Sequence, residues 1–204
     1  MELYYAPNTI SIAVVIAMNE LGLVFETRKI DFSTGEHTSA AYARINPKAR
    51  VPALVTSGGT LTETGAILEY ANAVATGTKL VPKDAYQAGK MREAMYYFAS
   101  TMHVNHAHKM RGARWANETS SFDDMRAKVP ETMAASCAYV EEYILQGPYV
   151  LGETLSLADP YLFLICSWLQ GDGVTIGNFP KLAAFFGHMS ERDSIKSARA
   201  AGML

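Results

Sequence analysis

Cysteine is scarce in this chain: the 204 residues hold only Cys137 and Cys166. Two thiols cannot build the disulfide framework of a small secreted domain. Both fall in apolar helical patterns, where a thiol packs as a small hydrophobe rather than as half of a redox pair. Charge is sparse and balanced, with 18 Lys and Arg against 20 Asp and Glu and a formal net charge of −2. Without a basic excess, general nucleic-acid binding is not expected. No apolar run approaches the roughly 20 residues of a membrane span. The opening Met1-Glu2-Leu3-Tyr4-Tyr5 enters a strand-like pattern at once and lacks the basic start of a secretory signal, which predicts a cytoplasmic protein. Internal repeats and low-complexity tracts are missing too. What is there is 49% apolar residues, in a length that suits one large or two modest packed domains.

The first third alternates element types. The pattern predicts a strand at Leu3 to Tyr5, a helix from Ile12 to Leu21 stopped by Gly22, and a strand from Phe25 to Ile30. A short helix follows at Ser39 to Arg44. Strands at Ala53 to Thr56 and Thr60 to Thr62 flank Gly58-Gly59, and Gly65 to Ala75 is helical. The order βαβ then ββα makes residues 1–76 one α/β layer. Residues 77–85, with Gly77 and Pro82, read as a linker. Residues 86–204 read as an all-helical domain. Long helices are expected over Tyr86 to Arg111 and Phe122 to Leu145, the second ended by Gly147-Pro148. Ser156-Leu157-Ala158-Asp159 has the spacing of a capping box ahead of an apolar helix, Tyr161 to Leu169. Phe179-Pro180 opens another helix reaching Met189, and a short tail helix follows.

Chemistry is carried by Arg50-Val51-Pro52-Ala53-Leu54 and Leu61-Thr62-Glu63-Thr64-Gly65-Ala66-Ile67. A residue before proline is held extended, so Val51 offers its backbone N–H and C=O to a peptide-like ligand. Glu63 and Thr64 stand at a helix mouth. There a hydroxyl and free N–H groups suit a carboxylate, while an acid suits an ammonium. One ligand end bearing both charges is an amino-acid head group. A plain turn followed by an N-capped helix fits the same residues.

Taken in order, three segments resemble the cytosolic glutathione transferase superfamily. These are Asn46 to Leu54, Thr62 to Ile67 and Ser156 to Asp159, and the bacterial beta class is nearest, with delta- and theta-like features. The resemblance implies a thioredoxin-like domain followed by a helical one, and a cis peptide bond at Val51-Pro52. It also implies a homodimer with glutathione as co-substrate, a small electrophile as second substrate and no metal. By the same resemblance Arg50, Val51 and Pro52 are glutathione-binding, and the Val51 backbone pairs with the cysteinyl part. Glu63 and Thr64 hold the γ-glutamyl head, and His37 the glycyl end. Arg50 or Lys48 is an alternative for the glycyl carboxylate.

One departure bears on the chemistry. The beta class carries a cysteine in the turn after the first strand, and the matching residue here is Ile10. A mixed disulfide with glutathione is therefore unavailable at that place. Three hydroxyls stand nearby, ranked Thr9, then Ser11, then Tyr5, as candidates to activate the thiol. N-capping of the first helix is the alternative use of Thr9 and Ser11.

The stretch from Met102 to Trp115 holds His103, His106, His108, Arg111 and Arg114. His103 aligns with a beta-class histidine facing the glutathione site. On one continued helix His103, His106, Arg111 and Arg114 share a face, and His108 points away. A substrate face, a metal site from His103 and His106, and a solvated cationic helix end are the three readings. The expected activity is transfer of glutathione to an electrophilic carbon, with a possible peroxidase side activity. A non-catalytic dimeric scaffold is the alternative, and a glutathione-dependent isomerase or dehalogenase shares the same site.

Overall fold

The computed structural model describes residues 1–204. In chain order the elements are β1 (Glu2–Tyr5), α1 (Ser11–Glu20), β2 (Glu26–Lys29), α2 (Ala40–Ala43), β3 (Ala53–Thr56), β4 (Gly59–Thr62) and α3 (Thr64–Val74). Then come α4 (Ala85–Tyr97), α5 (His103–His108), α6 (Thr119–Tyr139), α7 (Ala158–Trp168), α8 (Pro180–Ser190) and α9 (Asp193–Ala200). They form two compact units, one of Met1–Pro82 with Ser190–Leu204 and one of Lys83–Met189. No helix is long and apolar enough to cross a membrane.

The first unit is a thioredoxin-like layer around a four-stranded sheet in the order β2-β1-β3-β4. β1 and β2 are parallel, so their connection must cross over, and α1 supplies the crossover. α1 is apolar almost all round, and Ser11 through Met18 are buried. A helix of that kind needs cover on several sides. Within this unit α3 and α9 both pack on it. The β3–β4 hairpin turns through Ser57-Gly58 and enters β4 at Gly59, whose φ of +121° is open to glycine.

β2 lies within the strand expected from Phe25 to Ile30 but is shorter. The alternation from Phe25 to Ile30 condenses to four residues, all exposed, and Val24 ahead of them is 92% exposed. β2 lies at the sheet edge and pairs with β1 alone. The buried anchor comes just after it: Ile30 is buried and donates its N–H to Tyr5 O at 2.7 Å.

The second unit is helical, with two isolated bridges, Tyr149–Gly152 and Leu151–Thr154. Asp84 caps α4 by accepting from Gln87 N at 2.9 Å. The single helix expected over Tyr86 to Arg111 is interrupted by a π turn at Phe98–Met102 and stops at His108. Gly112 then lets the following turn lie on Phe122, whose Cδ1 would stand 2.8 Å from an added Cβ. α7 is the buried core helix. Asp159, fully buried, accepts from Ser156 N at 2.6 Å, Ser156 Oγ at 2.8 Å and Val150 N at 2.7 Å. Those donors compensate a buried carboxylate that would otherwise be strongly unfavourable.

Candidate functional site

The sheet register gathers the site. Ala53 pairs with Tyr4 on one side and with Thr62 on the other, both antiparallel. Carried one step further, that register leads Tyr5, Pro52 and Glu63 to the same end of the sheet. The turn Ala6 to Ile10, the Val51-Pro52 bond and the start of α3 therefore converge there. The Val51-Pro52 bond is cis.

The strand edge is held from behind. Arg50 O accepts from Tyr42 Oη at 2.7 Å and from Asn46 Nδ2 at 2.6 Å. Both donors are buried. Burial pushes the Tyr42 phenol up to about 12 against the pull of the Asn46 bond, so it stays a donor throughout the ordinary pH range. Asn46 Oδ1 also accepts from Lys48 N at 3.1 Å, which shapes the turn in which Ala49 takes a φ of +54°. Neither Tyr42 nor Asn46 was singled out from the sequence for this task. Val51 is partly buried and packs on the cluster of Tyr4, Ile30, Tyr42 and Ala53. The Arg50 side chain is exposed.

At the helix mouth Glu63 has a φ of +72°, a strained value for a residue with a Cβ. Thr64, the first residue of α3, is buried. The Glu63 carboxylate is in contact with Lys48 Nζ, which also donates to Thr62 Oγ1 at 2.7 Å.

The hydroxyl turn is a closed network. Thr9 Oγ1 and Ser11 Oγ are 2.6 Å apart. Thr9 Oγ1 is 2.8 Å and Ser11 Oγ 3.3 Å from Ala6 O, and Ala6 N donates to Ser11 Oγ at 3.2 Å. Ser11 is fully buried and Thr9 half-buried. The N-cap position of α1 falls on Ile10, whose side chain makes no capping bond. Ser11 N, the first amide of α1, does donate to Thr9 Oγ1 at 3.4 Å, so Thr9 keeps a long capping contact. Ser11 Oγ serves Ala6 and Thr9 instead. Tyr5, at the end of β1, is buried.

His37 lies in the turn Glu36–Thr38, with its ring 4.6 Å from that of Phe32. Its Nδ1 is buried without a hydrogen-bond partner. Phe32 packs on the same cluster as Val51, which ties this histidine to the strand edge.

His103 belongs to the helical unit, where its ring lies 5.3 Å from Trp168. His106 stacks on the same indole at 4.2 Å, with Nδ1 2.7 Å from Asp172 Oδ2. Lys109 Nζ reaches the other oxygen of Asp172 at 3.2 Å. The sequence offers no carboxylate near these histidines, and the fold supplies one from 66 residues away. His106 Nδ1 is thus committed to an acid. His108 packs against Trp115 instead.

Comparison with known proteins fits this arrangement. Residues 1–73 match the family model of the glutathione S-transferase N-terminal domain, and residues 106–201 that of the C-terminal domain. A solved glutathione transferase homologue from Sulfitobacter, with bound glutathione, is 55% identical with a TM-score of 0.98, over 100% of this chain and 98% of that one. Glutathione S-transferase GstA of Escherichia coli O157:H7 is 28% identical over 204 residues, 98% of each chain. The bacterial beta class glutathione S-transferase of Sphingomonas chungbukensis is 26% identical with a TM-score of 0.86, over 100% of both chains.

Proposed function

The chain belongs to the glutathione S-transferase family, and on that premise we propose that it joins the glutathione thiolate to a small electrophile, with Thr9 activating the thiol. The supporting observation is the convergence of a hydroxyl pair, an anchored strand edge and an acid–hydroxyl helix mouth at one end of the sheet. Glutathione carries groups for each: a thiol, a peptide backbone and an amino-acid head.

Val51 pairs its backbone with the cysteinyl unit. The Glu63 carboxylate takes the ammonium of the γ-glutamyl head, and Thr64 its carboxylate. His37, through its unpartnered Nδ1, and Arg50 are assigned to the glycyl end. His103 is kept as a ligand candidate on the strength of its alignment.

A free thiol titrates near 8.5 and the thiolate is the nucleophile. A hydrogen bond to an anion contributes about 1.5–3 kcal/mol, and one pKa unit is worth about 1.4 kcal/mol. One hydroxyl therefore lowers the bound thiol by about one to two units on those magnitudes. Thr9 Oγ–H turns from Ala6 O to the sulfur, while Ser11 Oγ–H donates into Thr9 Oγ1 across their 2.6 Å contact. The exchange favours the anion, because a charge-assisted bond is stronger than the neutral one it replaces. The first turn of α1 holds no acidic residue to oppose a thiolate at the positive end of the helix dipole. Homodimeric assembly and a cytoplasmic location belong to the same proposal and rest on the family and the sequence.

The test is an ultraviolet difference titration of the protein with glutathione over pH. A thiolate band rising well below the free thiol's pKa is the expected result. A band that follows free glutathione would leave the fold as a scaffold without thiol activation.

A further inference from the structure

The acid assigned to the ligand's ammonium already holds an ammonium of the protein's own. Lys48 Nζ sits on the Glu63 carboxylate and donates to Thr62 Oγ1 at 2.7 Å. From this we infer that Lys48 is an internal competitor for the γ-glutamyl ammonium, and so a specificity-determining residue of the site. The inference rests on the assignment of Glu63 to that ammonium.

The contact is built by the loop. Buried Asn46 holds Lys48 N through Oδ1 at 3.1 Å and Arg50 O through Nδ2 at 2.6 Å. One side chain thus sets both the lysine and the strand edge that pairs with the ligand. Across from it, the β3–β4 register and the left-handed backbone of Glu63 place the acid at the α3 mouth. Both partners are solvent-accessible, with side chains 41% and 69% exposed. The pair is therefore weak and exchangeable, as accessible ion pairs are. A ligand ammonium arriving with its own carboxylate on Thr64 displaces Lys48 at little loss. A ligand lacking the ammonium leaves Lys48 in place. Lys48 keeps Glu63 neutralised when the site is empty and makes the ammonium of the ligand redundant in part.

The experiment is calorimetric titration of the full chain and of Lys48→Met with two ligands. One is glutathione. The other is its analogue in which hydrogen replaces the γ-glutamyl ammonium. Removing Lys48 leaves the ligand as the sole cation for Glu63. Glutathione is expected to bind Lys48→Met about two- to fivefold tighter, the range of an accessible ion pair. The analogue gains nothing, so the preference for glutathione over the analogue widens by that factor. Added salt narrows the difference, since it screens the competing pair. Weaker glutathione binding by the variant, or an equal change for both ligands, overturns the inference and makes Lys48 a ligand-carboxylate contact or a bystander. If Lys48→Met itself binds the two ligands equally, the assignment of Glu63 fails and the inference with it. A Lys48→Gln variant, which keeps a polar donor, repeats the comparison should Lys48→Met be poorly soluble.

Discussion

Thr9 Oγ1 and Ser11 Oγ stand 2.6 Å apart, and the buried member, Ser11, also receives Ala6 N–H. The two hydroxyls therefore have separate duties. Thr9 also meets the backbone at Ala6 O and Ser11 N, but being half-buried it can turn its proton outward, whereas the fully buried Ser11 holds Ala6 N–H and orients its neighbour. Thr9→Ala is expected to lower turnover about ten- to a hundredfold, the equivalent of one charge-assisted bond, with little change in glutathione affinity. Thr9→Ser restores most of it. Steady-state kinetics with an aryl halide, set beside glutathione binding, checks the split. Unchanged turnover in Thr9→Ala would pass the role to Ser11 or Tyr5.

Ser11→Ala is expected to differ in kind. It leaves Ala6 N–H buried without its acceptor, an effect of about 1–3 kcal/mol on stability. Turnover falls as well, because Thr9 loses the donor that orients it. Thermal denaturation separates the two variants: Thr9→Ala stays near the parent and Ser11→Ala melts lower.

The anchors of the strand edge make a third prediction. Tyr42→Phe removes one of the two donors to Arg50 O, and Asn46→Ala removes the other together with the acceptor for Lys48 N. Tyr42→Phe is expected to lower stability by about 1 kcal/mol and Asn46→Ala by more. Glutathione affinity falls in the same order, since the edge that pairs with the peptide loses its backing. Paired measurements of melting and binding check the ranking.

Local patterns carried most of the fold. Gly58-Gly59 marks the hairpin, Gly22 ends α1 with a φ of +66°, and Ser156 N donates to the Asp159 carboxylate, one half of the capping box that the spacing predicts. The extended edge at Val51 and the helix mouth at Glu63 and Thr64 follow from the same kind of local signal, whereas the turn hydroxyls were pointed out by the family resemblance. What escaped was contact between distant residues. Tyr42 on Arg50 O, Lys48 on Glu63 and Asp172 on His106 have no periodicity to announce them. The strand expected over Phe25 to Ile30 is present as β2, but its four side chains are exposed, so the alternation there marks no buried face.

The two cysteines are expected to be silent in the folded protein. Both are free and buried. Burial first, then the charges of Glu141 and Asp172, push the Cys137 thiol up to about 12. Burial holds Cys166 well above the usual range. Neither forms thiolate near neutral pH, so a thiol reagent should find no fast-reacting group in the native chain and both groups in denaturant. Rapid native labelling would show that the helical core opens under mild conditions.

Acid stability should report on Glu20, which fastens α9 to α1 within the first unit. Its carboxylate accepts from Arg192 Nε at 2.7 Å, from Arg192 Nη2 at 2.6 Å and from Ser194 Oγ. Burial raises its pKa, but the Arg192 and Ser194 bonds and the Arg192 charge together outweigh that, and the net shift is downward. A carboxylate depressed on folding stabilises the fold above its unfolded pKa. That contribution is lost as the pH falls through the folded value. The parent should therefore lose melting temperature as pH drops below about 4.3, and Glu20→Gln should lose less over that window. Arg192→Ala reverses the sign. It leaves Glu20 desolvated and unpaired, which destabilises the neutral-pH fold by about 1.5–3 kcal/mol. Protonation then relieves the stranded charge, so the deficit against the parent shrinks in acid. Melting curves for the three proteins across that pH range decide the matter, and parallel curves would mean that Glu20 contributes no pH-dependent stability to this clamp.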